Sequence, residues 1–167
     1  MILPSNVYKI GDRGPAGGVI FFDMGFIYDG WRYLEAAPPG TVINLQWGAD
    51  GSSVDGTSDA IGTGKRNTEL IVECLIQLGE SMRASQFCAS MNLDGFTDWF
   101  LPSRDELDLM YRNLHQKGMG GFDESQYYWS STQYDRTQAS VQEFRNGYIQ
   151  QNAYKSGAHK VRAIRSF

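Results

Sequence analysis

The sequence predicts an α+β fold, and three observations carry that reading. Short apolar runs near the N-terminus read as strands, and helical periodicity sets in at Thr68 and persists to about Leu114. The last third then returns to short aromatic or β-branched runs. Strands, then helices, then strands is not the alternation of a βαβ chain. With 167 residues, 41% hydrophobic and 20% charged, the chain holds one domain's worth of material, 1–167, and no linker divides it. Aromatics at 13% exclude a disordered chain, and 19 scattered glycines exclude a coiled coil.

Gly11 to Gly18 reads as a succession of turns, because glycine and proline supply the dihedrals that turns require. Val19 to Asp23 follows as a buried strand, and Trp31 to Ala36 as another, closed by Pro38-Pro39-Gly40. Asp50 to Gly64 is a long loop of Gly, Ser, Asp and Thr, either functional or pinned locally. Leu70, Ile71, Cys74, Leu75 and Leu78 then share one helix face, with Asn67 or Thr68 as the expected cap and Gly79 as the stop. A second helix is expected over Ser81 to Met91, with Ala84, Phe87, Cys88 and Met91 inward. Asp98 to Pro102 reads as a short extended segment feeding Ser103-Arg104-Asp105-Glu106, a capping box. Leu107, Met110, Tyr111 and Leu114 give the third helix its apolar face, and Lys117-Gly118 ends it. Four strands complete the chain: Tyr127 to Thr132, Ala139 to Phe144, Tyr148 to Asn152 and Val161 to Phe167. Asn146-Gly147 between two of them predicts a type I′ hairpin.

The chemistry-bearing motifs are few. Thr63-Gly64-Lys65 is not a phosphate loop, since position 59 is Asp59 and the lysine is followed by Arg66. His115 and His159 have no zinc spacing, and Asp50, Asp55 and Asp59 miss that of an EF-hand. No Gly-x-Ser-x-Gly elbow occurs, and Asp105 and Glu106 belong to a helix's first turn, where the dipole favours carboxylates. The expectation is therefore no catalysis, no cofactor and no metal. Cys74 and Cys88 fall at apolar helical positions and read either as buried thiols or as one disulfide bracing a helical hairpin. A net charge of −4 leaves no basic field for nucleic acid. No run is long enough for direct membrane insertion, and no secretory segment opens the chain.

What remains suits binding. Between Tyr127 and Tyr154, tyrosines alternate with amides and arginines, a paratope-like composition. The candidate ligand-binding residues are Gln133, Tyr134, Asp135, Arg136, Gln138, Ser140, Gln142, Arg145, Tyr148, Gln150, Asn152 and Tyr154. The same polar residues also read as the wet face of a sheet, while Trp129 and Phe144 are expected in the core.

Five motifs in order carry a family resemblance: Gly14-Pro15-Ala16-Gly17-Gly18 with Ile20-Phe21-Phe22-Asp23, Gly30 to Pro38, Asp98 to Ser103, Tyr128 to Ser131, and Val161 to Arg165. From about Ile10 to Phe167 the chain resembles the bacterial domain found at the C-terminus of the Legionella collagen-like adhesin. The resemblance implies a C-type-lectin-like fold of the formylglycine-generating-enzyme type: a twisted, mostly antiparallel sheet flanked by helices, with the terminal strands close together. In such a fold the segments after Trp129-Ser130-Ser131 build the ligand-facing surface, and Trp99 and Trp129 are scaffold. The enzymes of that group use a late pair of cysteines, which this chain lacks after Cys88. The fold is also similar to that of variable proteins of diversity-generating retroelements, in which C-terminal surface positions vary. Together these imply a recognition domain for a protein or glycan, displayed outside the cell, on its surface or on a phage particle. The alternatives are a fixed adhesin, an envelope structural module, or an enzyme related to the formylglycine-generating group.

Overall fold

The computed structural model describes residues 7–167. Eight strands and three helices form, in the expected class: β1 (Val19–Tyr28), β2 (Trp31–Ala36), β3 (Ile43–Gln46), α1 (Gly64–Gln77), α2 (Ala84–Ser90), α3 (Arg104–Asn113), β4 (Tyr127–Gln133), β5 (Gln138–Glu143), β6 (Ile149–Tyr154), β7 (Ala158–Val161) and β8 (Ile164–Ser166). The strands make two sheets instead of one, ordered β1-β2-β8 and β3-β7-β4-β5-β6. All pairings are antiparallel except β4 with β7.

Two cores follow from the period-two alternation of strand side chains. Trp129 packs with Trp47, Ile71, Leu75 and Leu101 on the side of α1 and α2. Its neighbour Tyr128 turns the other way, to Phe21, Leu34, Phe100, Met110 and Phe144 beneath α3. Both Trp129 and Phe144 are fully buried, as expected. Two indoles then tie the β3 end of the chain to β4 across β7: Trp47 Nε1 donates to Ser130 O and Trp129 Nε1 to Leu45 O, each at 2.9 Å.

The motifs that carry the family resemblance are joints of this scaffold. The Glu35 carboxylate is fully buried and accepts from the backbone N–H groups of Ala16 (3.1 Å) and Gly18 (2.8 Å) and from Arg165 Nη1 (3.1 Å). Gly14 and Gly18 are glycines because a Cβ at either would run into Glu35 or the Ala36 carbonyl. Arg165 also makes a two-pronged pair with Asp98, at 2.8 and 2.9 Å, and its guanidinium lies between the rings of Phe96 and Phe167. The N-terminal turn, β2, β8 and the Asp98 segment are thereby tied at one point.

Several expectations are corrected. The strand expected over Val161 to Phe167 divides at Arg162-Ala163, β7 joining one sheet and β8 the other. Arg162 is the pivot: it is buried, Nε donates to Ala37 O at 2.8 Å, and its guanidinium covers the Phe122 ring. α1 begins at Gly64, four residues early, so Asn67 and Thr68 lie inside it and cap nothing. Asn67 instead bonds Ser58 through both N–H and C=O, and Thr68 Oγ1 accepts from Leu101 N; buried loop backbone must find partners somewhere. Leu78 is exposed, and α2 starts at Ala84, not Ser81. The Asn146-Gly147 hairpin is not type I′: only Gly147 has positive φ, and the loop widens to four residues as Phe144 drops into the core. β3 was not foreseen. The capping box at Ser103 and Glu106 forms as expected. Cys74 and Cys88 are free thiols, and burial pushes the Cys88 pKa up. No helix among the described residues is long and apolar enough to cross a membrane.

Candidate functional site

The turn between β4 and β5 brings the exposed polar and aromatic residues forward. Asp135 Oδ1 accepts from Thr137 N at 2.8 Å and from its hydroxyl at 3.1 Å, fixing the turn from inside. The Thr137 N–H also holds the Asp135 carboxyl below its ordinary pKa. Tyr134 N and Asp135 N both donate to Gln138 O, and Gln138 stands directly opposite Tyr154 on β6. Paired residues share a face, so Gln138 and Tyr154 stand side by side on β5 and β6, and Tyr134, just past the end of β4, extends the row through its N–H on Gln138 O. Tyr134 is 58% exposed and Tyr154 66%.

Beneath this row the 47–54 loop closes against the sheet. Arg136 forks onto Gly51 O with Nε at 3.0 Å and Nη2 at 2.8 Å, while Gly51 N donates back to Arg136 O. Gln133 faces inward: its Oε1 accepts from Val54 N at 2.8 Å and from Lys155 Nζ at 2.8 Å. The long Asp50 to Gly64 loop is thus pinned locally, and its far end is held by Gly62 N on Glu106 Oε1 at 2.8 Å. Burial pushes Glu106 up to about 7, against the pull of the Ser103 and Gly62 N–H groups.

The structure divides the twelve candidate residues. Tyr134, Asp135, Arg136, Gln138 and Tyr154 gather at the β4–β5 turn, whereas Arg145 and Tyr148 lie at the β5–β6 hairpin, roughly 20 Å away along β5. Gln150 and Asn152 lie between them on β6, the outermost strand of its sheet. Ser140 and Gln142 are a correction, being only 2% and 1% exposed. They belong to the face of β5 that α3 covers, where Gln142 Nε2 donates to Asp108 Oδ1 at 2.8 Å and to Gly147 O at 3.1 Å. Gln133 is half-buried and its amide is spent on interior contacts. Sequence reasoning missed Lys155 and the 47–54 loop. Alternation held the signal for the lysine, since an inward Ala153 and outward Tyr154 place Lys155 inward.

The clefts lie elsewhere. One of about 230 Å³ is lined by Trp31, Lys65 and Glu106, and an apolar one of about 390 Å³ by Tyr8, Ile27, Trp31 and Phe167. Neither includes a candidate residue. His159 packs edge-on against Trp129, and His115 pairs with Glu124 at 3.2 Å. Among the described residues no three His, Cys, Asp or Glu side chains gather as a metal site.

The sequence profile of the Lcl C-terminal domain matches residues 41–165. The chain belongs to this family. Its N-terminal motifs, Gly14 to Pro38, precede the matched range yet lock into it through Glu35 and Arg165. A search of curated proteins returns no match. Among solved structures the chain is similar to a fimbrial protein from Bacteroides ovatus ATCC 8483, with a TM-score of 0.57 and 12% identity over 90% of this chain. This chain spans 44% of that protein's length, so the likeness concerns the fold of one part of it.

Proposed function

We propose that this chain is a non-catalytic recognition domain that binds a protein or glycan through the β4–β5 turn and the exposed side of β6. The observation that carries the reading is the row Tyr134–Gln138–Tyr154: two largely exposed tyrosines flanking a half-buried amide, on a turn and two strands held by backbone hydrogen bonds. Rigid aromatic area and adaptable hydrogen bonding are what a recognition surface needs, and ordering costs little when the scaffold is already fixed. We take the fold to be the C-type-lectin-like type, supported by the last strand, β8, pairing with β2 of the N-terminal hairpin. Membership of the Lcl C-terminal domain family and the likeness to a fimbrial protein support adhesion and display at a cell or phage surface. Alanine at Tyr134 or Tyr154 is expected to weaken capture on protein and glycan arrays with Tm unchanged. Early melting of these variants would mean that the tyrosines are structural and the site is wrong. Diversification of the C-terminal third is tested at the genomic locus. A near-copy of the codons after Trp129, differing mainly at adenines and lying beside a reverse transcriptase, supports it; a locus without one makes this a fixed adhesin.

A second reading has its own observation. Phe26, Ile27 and Tyr28 are consecutive and exposed at the tip of the β1–β2 hairpin, beside the apolar cleft under Trp31 and Phe167. An envelope module that packs on another domain would use such a surface. Replacing Phe26 and Ile27 with serine tests it, since loss of capture there, and not at the tyrosines, would move the site.

A further inference from the structure

A lysine is sealed under the recognition face with no carboxylate in direct contact among the described residues. Lys155 is 0% exposed, and among the described residues it makes no ion pair. Its ammonium donates to Ser52 O at 2.9 Å, Arg136 O at 3.0 Å and Gln133 Oε1 at 2.8 Å, with Ala49 O at 3.5 Å. The Trp47 ring lies under the charge, 4.7 Å from Nζ to the centroid. These acceptors come from the 47–54 loop, the end of β4 and the β4–β5 turn; loop and turn also meet where Gly51 N donates to Arg136 O, and the ammonium touches all three pieces at once. The lysine's own backbone adds to the joint, accepting from Trp47 N at 3.1 Å and donating to Thr137 O at 2.8 Å.

We propose that Lys155 is the positioning residue of the recognition face, its ammonium acting as a strut that sets the β4–β5 turn, and with it Tyr134, against the 47–54 loop. The strut's functional meaning rests on reading that face as the binding surface; the strut itself does not. An ammonium fits because it offers three donors to converging oxygens, whereas the neutral amine has two, and an apolar side chain would leave the oxygens buried and unpaired. Desolvation pulls the Lys155 pKa down to about 8. Asp50 on the loop, Glu80 after α1, Asp135 on the turn and the Cys74 thiol of α1 are the titratable groups around it, and all favour keeping the proton. Glu80 is already paired with Arg83 at 2.7 Å, and Asp135 with Thr137.

The experiment needs no ligand. In the wild-type chain, NMR follows the backbone amides of Gly51, Val54 and Asp135 alongside the Lys155 side chain from pH 6.5 to 11. The proposal expects all four to titrate with one midpoint near 8. Turn and loop amides that ignore the Lys155 titration, whatever its midpoint, would overturn the proposal. In Lys155→Met, amide exchange at Gly51 and Val54 should quicken about ten-fold or more while Leu107 in α3 and Leu114 just after it keep their protection. Uniform acceleration across the molecule would show a residue that merely adds stability. If that variant does not fold, the wild-type titration still decides. A face that binds nothing, with the strut intact, would refute the functional reading alone.

Discussion

At the scale of single residues, the strongest constraint is the charge cluster of buried Glu35 and Arg165 with the more exposed Asp98. Removing one partner leaves another charge stranded. Arg165→Met is therefore expected to cost about 3–5 kcal/mol, read as a lower urea midpoint at neutral pH. An unchanged midpoint would mean that the cluster is not closed in solution. The cluster also has an acid signature. Burial raises the Asp98 pKa, but hydrogen bonding and charge from Arg165 outweigh it and leave the net shift downward from 3.8. With a depressed folded value, the stabilisation is present above 3.8 and is lost as pH falls through the folded value. Urea midpoints from pH 5 to 2 should fall more steeply for the wild type than for Asp98→Asn; parallel curves would show that Asp98 contributes nothing. Sequence alone pointed to these residues only as words in a family resemblance. A charged residue in a short strand normally reads as solvated, and nothing local says that Arg165 and Glu35 are partners 130 positions apart.

At the scale of elements, local chemistry was legible and long-range pairing was not. The Ser103 and Glu106 capping box was readable because a cap is decided within four residues. Ser103→Ala is expected to cost about 1 kcal/mol, because the Glu106 N–H loses its acceptor, and calorimetry would register it as a modest fall in Tm. The β5–β6 hairpin was readable in place but not in type. Its Gly147 has φ of 78° and lies against the Tyr111 ring, which a Cβ would strike. Gly147→Ala should therefore lose about 1–2 kcal/mol from the backbone alone, with the Tyr111 clash in addition. A tolerated alanine would show that the loop has another conformation. The division of the last expected strand was invisible because no glycine, proline or other turn residue interrupts Val161-Arg162-Ala163-Ile164. Only the burial of Arg162 under Phe122 bends the chain from one sheet to the other.

At the scale of the whole molecule, the parts that identify the family and the parts that would meet a ligand are separate. The Gly14 turn, Glu35, Asp98, Trp129, Ser131 and Arg165 are spent on joining two sheets and three helices. The exposed Tyr134 and Tyr154 side chains, with half-buried Gln138 between them, stand on that scaffold. Composition pointed to the last third of the chain but included Ser140 and Gln142, which are buried. Alternation along β5 shows two faces without saying which one a helix covers. The central claim is that the row is the site, and one comparison tests it directly. Protein and glycan arrays are probed with the wild type, a Tyr134→Ala/Tyr154→Ala variant and a Phe26→Ser/Ile27→Ser variant, each checked for Tm. The account predicts that wild-type hits vanish with the tyrosines and survive the serines, with all three melting together; hits that survive loss of both tyrosines would contradict it.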